Sequence, residues 1–346
     1  MIKKPELFNL KKILIIQTAS IGDVILSTAL AEKLHAYYPE AEINFLVKNG
    51  MDVLFSGHPF VKEVLVWNKK KDKYANLFRI LLQVRNKHYD VVVNVQRFVS
   101  SGIITGLSGA AIRAGFDKNP LSFLFNRRTK HLIGQEALGL HETQRNQKLI
   151  VSLTDSKAAR PTLYPEQKDF DAVSHYKSVP YICIAPASLW NTKQFPATKW
   201  IELIHSVPSE MVIYLLGAPN DSSLCKMIKA ASERNTVFDL SGTLSLLQSA
   251  ALIRDAKMNY VNDSAPLHIA SAMNAPVTAV FCSTIPEFGF GPLSDNSFII
   301  QTELLLPCRP CGIHGYNTCP EKHFNCAQSI HINSLLKTLH GRNQSI

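Results

Sequence analysis

Short apolar runs alternate with helical patterns along the first half of the chain. The apolar runs cover Ile13–Ile16, Ile43–Val47, Val64–Val66 and Val91–Val95. Helical spacing of apolar positions covers Val24–Tyr37, Ala75–Lys87 and Gln144–Leu153. Because strands that alternate with helices usually form a parallel sheet flanked by helices, this half is predicted to be an α/β domain.

A polar segment with two prolines, 154–167, interrupts the alternation and is typical of a linker. Beyond it, strand-like runs occur at Tyr181–Ala185, Met211–Leu216, Met258–Val261 and Pro276–Phe281. The helical patterns of this half are Ala197–Val207, Asp221–Glu233, Leu244–Asp255 and Ala265–Met273. We therefore predict two doubly wound domains in series, 1–160 and 161–346. Ligands are expected in a cleft between them, at the carboxyl ends of both sheets.

Composition limits the kinds of partner and compartment. The chain has 346 residues, 46% of them hydrophobic, and a formal net charge of +10. No apolar stretch reaches the roughly 18 residues of a membrane span, and the N-terminal "MIKKPELFNLKK" lacks the apolar core of a signal peptide. A cytoplasmic protein is therefore predicted. The positive charge favours anionic partners, but no nucleic-acid-binding motif is present, so nucleic acid is not expected among them.

The first strand-like run leads into a small polar loop, Thr18–Asp23, that precedes a helical pattern. A carboxylate at this point can cap free N–H groups and faces the positive end of the helix dipole, so Asp23 has a structural explanation. The alternative is catalytic, because open α/β sheets hold ligands and reacting groups where the parallel strands end. The loop alone leaves both explanations open.

Three loops of the second half follow strands and precede helices, the position at which helix N–H groups bind phosphates. In "IAPASLWNTKQFPATKW", Lys193 is either an exposed loop lysine or a ligand of a diphosphate. In "YLLGAPNDSSLCKMI", Asp221 is either a helix cap or a ligand of ribose hydroxyls. In "NYVNDSAPLHIASAMNAPVTAVF", Asp263 and Ser264 precede a helix with His268 in its first turn. A capping aspartate with a packed histidine is the structural alternative there.

Several common catalytic signatures are absent from the sequence. There is no Walker A motif, no G-x-G-x-x-G after a strand and no G-x-S-x-G elbow. These absences argue against a P-loop NTPase and against a simple NAD dehydrogenase.

Taken together, the motifs resemble those of the ADP-heptose:lipopolysaccharide heptosyltransferase family, glycosyltransferase family 9. The matching pieces are "ILIIQTASIGDVILSTALAEKL", "LHETQRN", "APASLWNTKQFPATKW", "LLGAPND", the block 240–281 and "PCRPCGIHGYNTCPEKHFNC". They follow the family order over nearly the whole chain. The resemblance implies the GT-B fold, in which two Rossmann-like domains face each other across a cleft. Residues 1–160 would then bind the acceptor and 161–346 the sugar nucleotide.

The same resemblance implies an inverting transfer of heptose from ADP-heptose to the inner core of lipopolysaccharide. Asp23 resembles the general base, and Lys193 resembles the cation that stabilises the leaving diphosphate, so that no metal is required. The implied donor-binding residues are Ser188, Thr192, Asp221, Asp263, Ser264, Ala265 and His268. The implied acceptor-binding residues are Ser20, Gly22, Arg97 and His141.

The implied partners are a nucleotide sugar and an anionic lipopolysaccharide core, with peripheral contact at the inner face of the inner membrane. The chain departs from the family pattern at Ala187, 194–195, 265–266 and Cys282, and these changes crowd the donor pocket. Another nucleotide sugar or acceptor is therefore an alternative, and so is a non-catalytic member that binds a sugar nucleotide. A GT-B epimerase is a further alternative, but the acid and histidine pair expected for it is missing.

Four of the seven cysteines cluster near the C-terminus as Cys308-x2-Cys311-x7-Cys319-x6-Cys326. In a cytosolic protein such spacing suggests a structural zinc site before it suggests disulfides, and reduced, packed thiols are the alternative. Neither explanation gives these residues a catalytic role, and no required cofactor is predicted.

Overall fold

The computed structural model describes residues 9–69 and 72–341, and the chain divides after Tyr164 into two units. Most of the N-terminal segment used above to argue against a signal peptide lies outside the described residues. Within the described part, none of the helices combines the length and apolar character that crossing a bilayer requires.

The described part of the first unit contains a parallel sheet of six strands with four helices. The strands are β1 (Lys12–Ile16), β2 (Glu42–Lys48), β3 (Val61–Trp67), β4 (Val91–Asn94), β5 (Ile112–Phe116) and β6 (Arg127–Thr129). The helices are α1 (Ile21–Tyr37), α2 (Lys73–Asn86), α3 (Val99–Gly106) and α4 (Glu142–Gln147). The strand order is β3-β2-β1-β4-β5-β6, so the chain reverses its direction across the sheet between β1 and β4.

The described part of the second unit contains a second parallel sheet of six strands. Its strands are β7 (Tyr181–Ala185), β8 (Val212–Leu215), β9 (Val237–Asp239), β10 (Met258–Asn262), β11 (Val277–Phe281) and β12 (Ser297–Gln301). Its helices are α5 (Gln167–Ala172), α6 (Ala197–Ser206), α7 (Ser222–Ser232), α8 (Leu246–Asp255), α9 (Ala265–Ala272), α10 (Asn325–Gln328) and α11 (Ile332–Thr338). The order β9-β8-β7-β10-β11-β12 repeats that of the first unit.

The central strands are continuous apolar runs because helices cover both faces of each sheet. All residues of β4, β7, β10 and β11 are buried. In the first unit, Trp67 packs with Ile80 of α2 and Ile104 of α3. In the second unit, Trp200 of α6 and Leu335 of α11 belong to the corresponding core.

The predicted α/β class with two doubly wound units is confirmed. Each unit has one topological switch point, between β1 and β4 in the first and between β7 and β10 in the second. The predicted helix Gln144–Leu153 is wrong in extent, since α4 covers Glu142–Gln147 and turns follow it. Its start is fixed by the His141 cap, a signal that the apolar pattern does not contain. The elements that the apolar pattern did not predict are the helices α3, α5, α10 and α11 and the strands β5, β6, β9 and β12.

Candidate active site

Asp23 lies at the start of α1, directly after β1 and beside the switch point of the first unit. Its Oδ2 accepts hydrogen bonds from Ser20 N at 3.0 Å and from Ser20 Oγ at 2.6 Å. In return, Asp23 N donates to Ser20 Oγ at 3.4 Å, which completes a capping box. The cap uses Oδ2, and the carboxylate remains partly exposed. A structural and a chemical role of Asp23 are therefore compatible.

Three buried amide side chains lie at the carboxyl ends of β1 and β4. Gln96 Nε2 donates to Gln17 Oε1, and Gln96 N donates to Asn94 Oδ1 at 2.8 Å. Within the described residues, Asn94 Nδ2 and Gln96 Oε1 are buried and have no hydrogen-bond partner. Because an unmade buried hydrogen bond is costly, these two atoms are candidates for contacts with ligand hydroxyls.

An ion pair on α4 lies close to Asp23, since α4 packs against α1. Arg145 donates to Glu142 Oε2 through Nε at 2.8 Å and through Nη2 at 2.6 Å. Burial raises the pKa of Glu142, the Arg145 charge opposes this shift, and the negative charge of Asp23 adds to it. Asp23 is thus within electrostatic range of the pair. The neighbouring His141, predicted to bind the acceptor, caps α4 by accepting from Thr143 N at 3.2 Å.

Cationic side chains lie near the same edge of the first sheet. Lys69 Nζ donates to Thr18 Oγ1 at 2.8 Å and to Thr18 O at 3.1 Å, which holds a positive charge against the β1–α1 loop. The predicted Arg97 is exposed just after β4. Burial, with the Arg97 charge as the second cause, lowers the pKa of His131 to about 4. The predicted Gly22 is buried in the first turn of α1.

In the second unit, Lys193 and Asp263 form a buried ion pair at the switch point. Lys193 follows β7 and Asp263 follows β10, and their Nζ and Oδ2 atoms are 2.7 Å apart. Their side chains are 12% and 6% exposed. Asp263 Oδ2 also accepts a hydrogen bond from Thr284 Oγ1 at 2.7 Å. Two residues predicted from separate loops therefore meet in one cluster.

Asn262 fixes the loop that carries Lys193 at both of its ends. Its Nδ2 donates to Pro186 O at 2.8 Å, and its Oδ1 accepts from Phe195 N at 2.9 Å. The side chain is fully buried. Because both contacts are to backbone groups, Asn262 determines the path of the loop rather than the position of any one side chain in it.

A C-terminal segment, Gly312–Tyr316, holds the same loop from another side. Thr192 N donates to Tyr316 O at 3.0 Å, and Tyr316 N donates back to Thr192 Oγ1 at 2.7 Å. Ser283 Oγ also donates to Thr192 Oγ1, at 3.0 Å. The predicted donor ligand Thr192 is thus already engaged within the protein, next to Lys193.

The remaining predicted donor residues lie on neighbouring loops of the second sheet. Ser264 and Ala265 begin α9 directly after Asp263, and His268 is buried in the same helix and contacts Phe290 edge-on. Asp221 follows β8, where its Oδ2 accepts from Ala218 N at 2.8 Å, so its carboxylate closes its own turn. Ser188 lies half-buried in the Lys193 loop.

The four cysteines near the C-terminus lie in a segment that packs beside the Lys193–Asp263 cluster. Among residues 9–69 and 72–341, no group of three or more His, Cys, Asp or Glu side chains could hold a metal ion. All seven cysteines are free thiols. The segment is instead anchored by Arg309, whose Nε donates to Cys282 O at 2.7 Å and whose Nη2 donates to Thr284 O at 2.7 Å. The four C-terminal cysteines lie within electrostatic range of one another, and the zinc alternative stays a prediction.

Six residues of these clusters were not predicted from the sequence: Lys69, Glu142, Arg145, Asn262, Ser283 and Thr284. Asn262 directly precedes the predicted Asp263, and Glu142 directly follows the predicted His141. Their position next to predicted site residues is the feature of the sequence that could have indicated them. Lys69, Ser283 and Thr284 contact residues far away in the sequence, and no local pattern announces such contacts.

Comparisons of the sequence and of the fold with known proteins all identify heptosyltransferases as similar proteins. Residues 77–315 match the family model described as glycosyltransferase family 9 (heptosyltransferase). Lipopolysaccharide heptosyltransferase 3 of Escherichia coli is 26% identical over 80% of this chain and 84% of its own length. Lipopolysaccharide heptosyltransferase 1 of Salmonella typhimurium is 26% identical over 81% of this chain and 92% of its own length. The structure of E. coli ADP-heptose lipopolysaccharide heptosyltransferase II superposes with a TM-score of 0.78 at 23% identity, covering 95% of this chain and 97% of that one.

Proposed function

The chain belongs to glycosyltransferase family 9, the heptosyltransferase family, and from this we propose that it transfers heptose from ADP-heptose to the inner core of lipopolysaccharide. The protein is thus a glycosyltransferase with the GT-B fold, as the sequence analysis expected.

The observation that carries the proposal is the Lys193–Asp263 pair beside the first turn of α9. A nucleoside diphosphate offers the negative charge that an ammonium group and free helix N–H groups bind. As the bond between the anomeric carbon and the β-phosphate oxygen breaks, charge grows on that phosphate. Lys193 would stabilise it, with Asp263 holding the ammonium in position. This arrangement gives a reason to propose transfer without a metal ion.

On the acceptor side, we assign the general base to Asp23. A sugar hydroxyl attacks the anomeric carbon from the face opposite the leaving ADP, and its proton passes to the Asp23 carboxylate. One carbon–oxygen bond forms, one breaks, and the configuration inverts. The buried amides Asn94 and Gln96 would hydrogen-bond acceptor hydroxyls, since each has an atom that needs a partner.

With these assignments, each half of the chain would bind a different substrate. Residues 1–160 would bind the acceptor through Ser20, Gly22, Arg97 and His141. Residues 161–346 would bind the nucleotide through Ser188, Thr192, Asp221, Ser264, Ala265 and His268. The proposal includes a cytoplasmic location with peripheral contact at the inner membrane, where a lipid-anchored acceptor would be met. It requires no cofactor.

Mass spectrometry of a reaction with ADP-heptose, an inner-core acceptor and EDTA tests the proposal. An acceptor heavier by one heptose supports the donor, the acceptor and independence from exchangeable metal. No mass change while ADP still binds by calorimetry would contradict the heptose assignment and favour another nucleotide sugar or acceptor. No mass change together with no ADP binding would contradict the proposed donor site as well.

A further inference from the structure

The outer face of α2 carries large apolar side chains next to exposed arginines. Tyr74, Phe78 and Leu82 recur every four residues, and they are 80%, 61% and 44% exposed. The inner face of the same helix packs Ile80 and Val84 into the core. A surface helix normally turns polar residues outward, so an apolar outer stripe marks an interaction surface.

Elements that pack next to α2 carry further exposed apolar side chains. Helix α3 packs against α2, and exposed Phe98 and Leu107 lie at its two ends. Arg85 of α2 donates from Nη1 to Leu107 O at 2.8 Å, which joins the end of α3 to α2. The turn that holds exposed Phe123 packs against α3 as well. We call this patch the α2–α3 surface: Tyr74, Phe78, Leu82, Phe98, Leu107 and Phe123.

The charged residues within α2 are all basic, and one acidic residue, Asp72, stands at its N-cap position. The sequence of α2 contains Lys73, Arg79 and Arg85 and no acidic residue. Up to Tyr164 the chain has 24 Lys and Arg against 13 Asp and Glu, whereas from 165 onward it has 13 against 14. The whole positive excess of the protein therefore belongs to the unit that carries the α2–α3 surface. An apolar helix face in a basic surrounding is complementary to an anionic lipid interface.

We propose that the α2–α3 surface docks on an anionic lipid bilayer. Tyr74, Phe78 and Leu82 enter the boundary between headgroups and acyl chains, while Arg79 and Arg85 meet lipid phosphates. A second copy of the chain is a poorer occupant, because a two-fold contact through this surface would oppose like charges. The inference rests on the membrane contact in the proposed function and assigns a surface to it. Binding to a bilayer is measured without donor or acceptor, so its failure is distinguishable from a failure of the transfer reaction.

Flotation of the full chain with vesicles tests the inference. One set of vesicles contains phosphatidylcholine alone, and the other contains equal parts of phosphatidylcholine and phosphatidylglycerol. The wild type should float with the anionic vesicles, less so at high salt, because screening weakens the charge contacts. The double variant Phe78→Gln/Leu82→Gln should lower the vesicle partition coefficient about tenfold or more, since two apolar side chains no longer enter the interface.

Met227→Gln is the matched control, since Met227 is an exposed apolar residue on α7 of the other unit. It should float like the wild type. Circular dichroism and ADP calorimetry verify that each variant is folded. Failure of the wild type to float with anionic vesicles overturns the inference, and so does a double variant that floats as well as the control. A dimer that the double variant dissociates, without vesicle binding, overturns it in favour of self-association.

Discussion

Replacing Gly315 by alanine tests whether the segment Gly312–Tyr316 holds the Lys193 loop in its binding geometry. A Cβ at this position would lie 2.8 Å from Thr192 Oγ1, 3.1 Å from Ser283 Oγ and 3.3 Å from Lys193 Cγ. The first distance is too short for non-bonded atoms and the other two are tight, so the Thr192 hydroxyl must shift and its contact with Ser283 is disturbed. The backbone at Gly315 also has φ of +77°, which alanine adopts at a cost of about 1 kcal/mol.

Gly312→Ala separates the two effects. Gly312 has φ of +67°, but a Cβ there meets nothing within 4 Å. Both variants therefore lose about 1 kcal/mol through the backbone. Only Gly315→Ala disturbs the hydrogen bonds from Tyr316 N and Ser283 Oγ to Thr192 Oγ1, worth about 1 kcal/mol each. We expect a loss of about 2 to 3 kcal/mol in unfolding free energy for Gly315→Ala, against about 1 for Gly312→Ala.

ADP binding gives the functional measurement. A charged contact between Lys193 and a phosphate is worth about 1.5 to 3 kcal/mol, so displacing Lys193 should raise the ADP Kd about 10- to 100-fold. Titration calorimetry of both variants and the wild type measures this Kd, and urea unfolding measures stability. The reasoning is refuted if Gly315→Ala binds ADP as tightly as Gly312→Ala, because the segment would then have no influence on the Lys193 loop.

Three further predictions follow from single side chains. Asp23→Asn should lower the transfer rate at least about 100-fold without changing the ADP Kd. The control Asp52→Asn, in the same unit, should leave both the rate and the Kd unchanged. If Asp23→Asn retains transfer, Asp23 is only a helix cap. Asn262→Leu leaves two buried backbone groups of the Lys193 loop unpaired and should cost about 2 to 5 kcal/mol in urea unfolding, so a loss below 1 would contradict its clamp role. Burial lowers the pKa of His58 to about 4 in the folded protein, whereas a histidine in an unfolded chain has a pKa of roughly 6.5. Between pH 4 and pH 6.5 the unfolded state therefore binds more protons than the folded state, which favours unfolding. His58 should therefore contribute about 3 kcal/mol to the fall in unfolding free energy from pH 7 to pH 4. His58→Gln should remove this contribution and leave that of His131, whose pKa burial also lowers to about 4.

The apolar pattern predicts the central strands because these are buried on both faces and read as continuous runs. The strands that it misses are shorter or more polar, as β6 with the sequence Arg-Arg-Thr shows. The order of the strands is also beyond a local pattern, since β1 pairs with β4 across more than seventy residues. The alternation nevertheless predicted the class of the fold, because a parallel sheet requires a crossover after each strand.

At the candidate site, the sequence indicated single residues but not the ion pairs and hydrogen bonds that join them. Lys193 and Asp263 could be named because each occupies a loop between a strand and a helix. Their ion pair joins residues seventy positions apart, and the hydrogen bonds of Thr192 to Tyr316 join residues even further apart. The cysteine spacing suggested zinc or packed thiols, but it gave no sign that this region contacts the site through backbone groups and Arg309. Spacing describes side chains only, so it cannot reveal such contacts.

The distribution of charge shows why net charge alone is a poor guide to the nucleotide site. The unit with the Lys193–Asp263 pair has one more acidic than basic residue, although its proposed ligand is a diphosphate. A buried site needs only a few oriented groups, since one desolvated ammonium and a helix N-terminus act at short range and in low dielectric. A broad anionic surface is different, because it attracts many exposed cations over the Debye length. The excess of Lys and Arg in the first unit therefore fits an extended partner such as a lipid surface or a phosphorylated glycolipid.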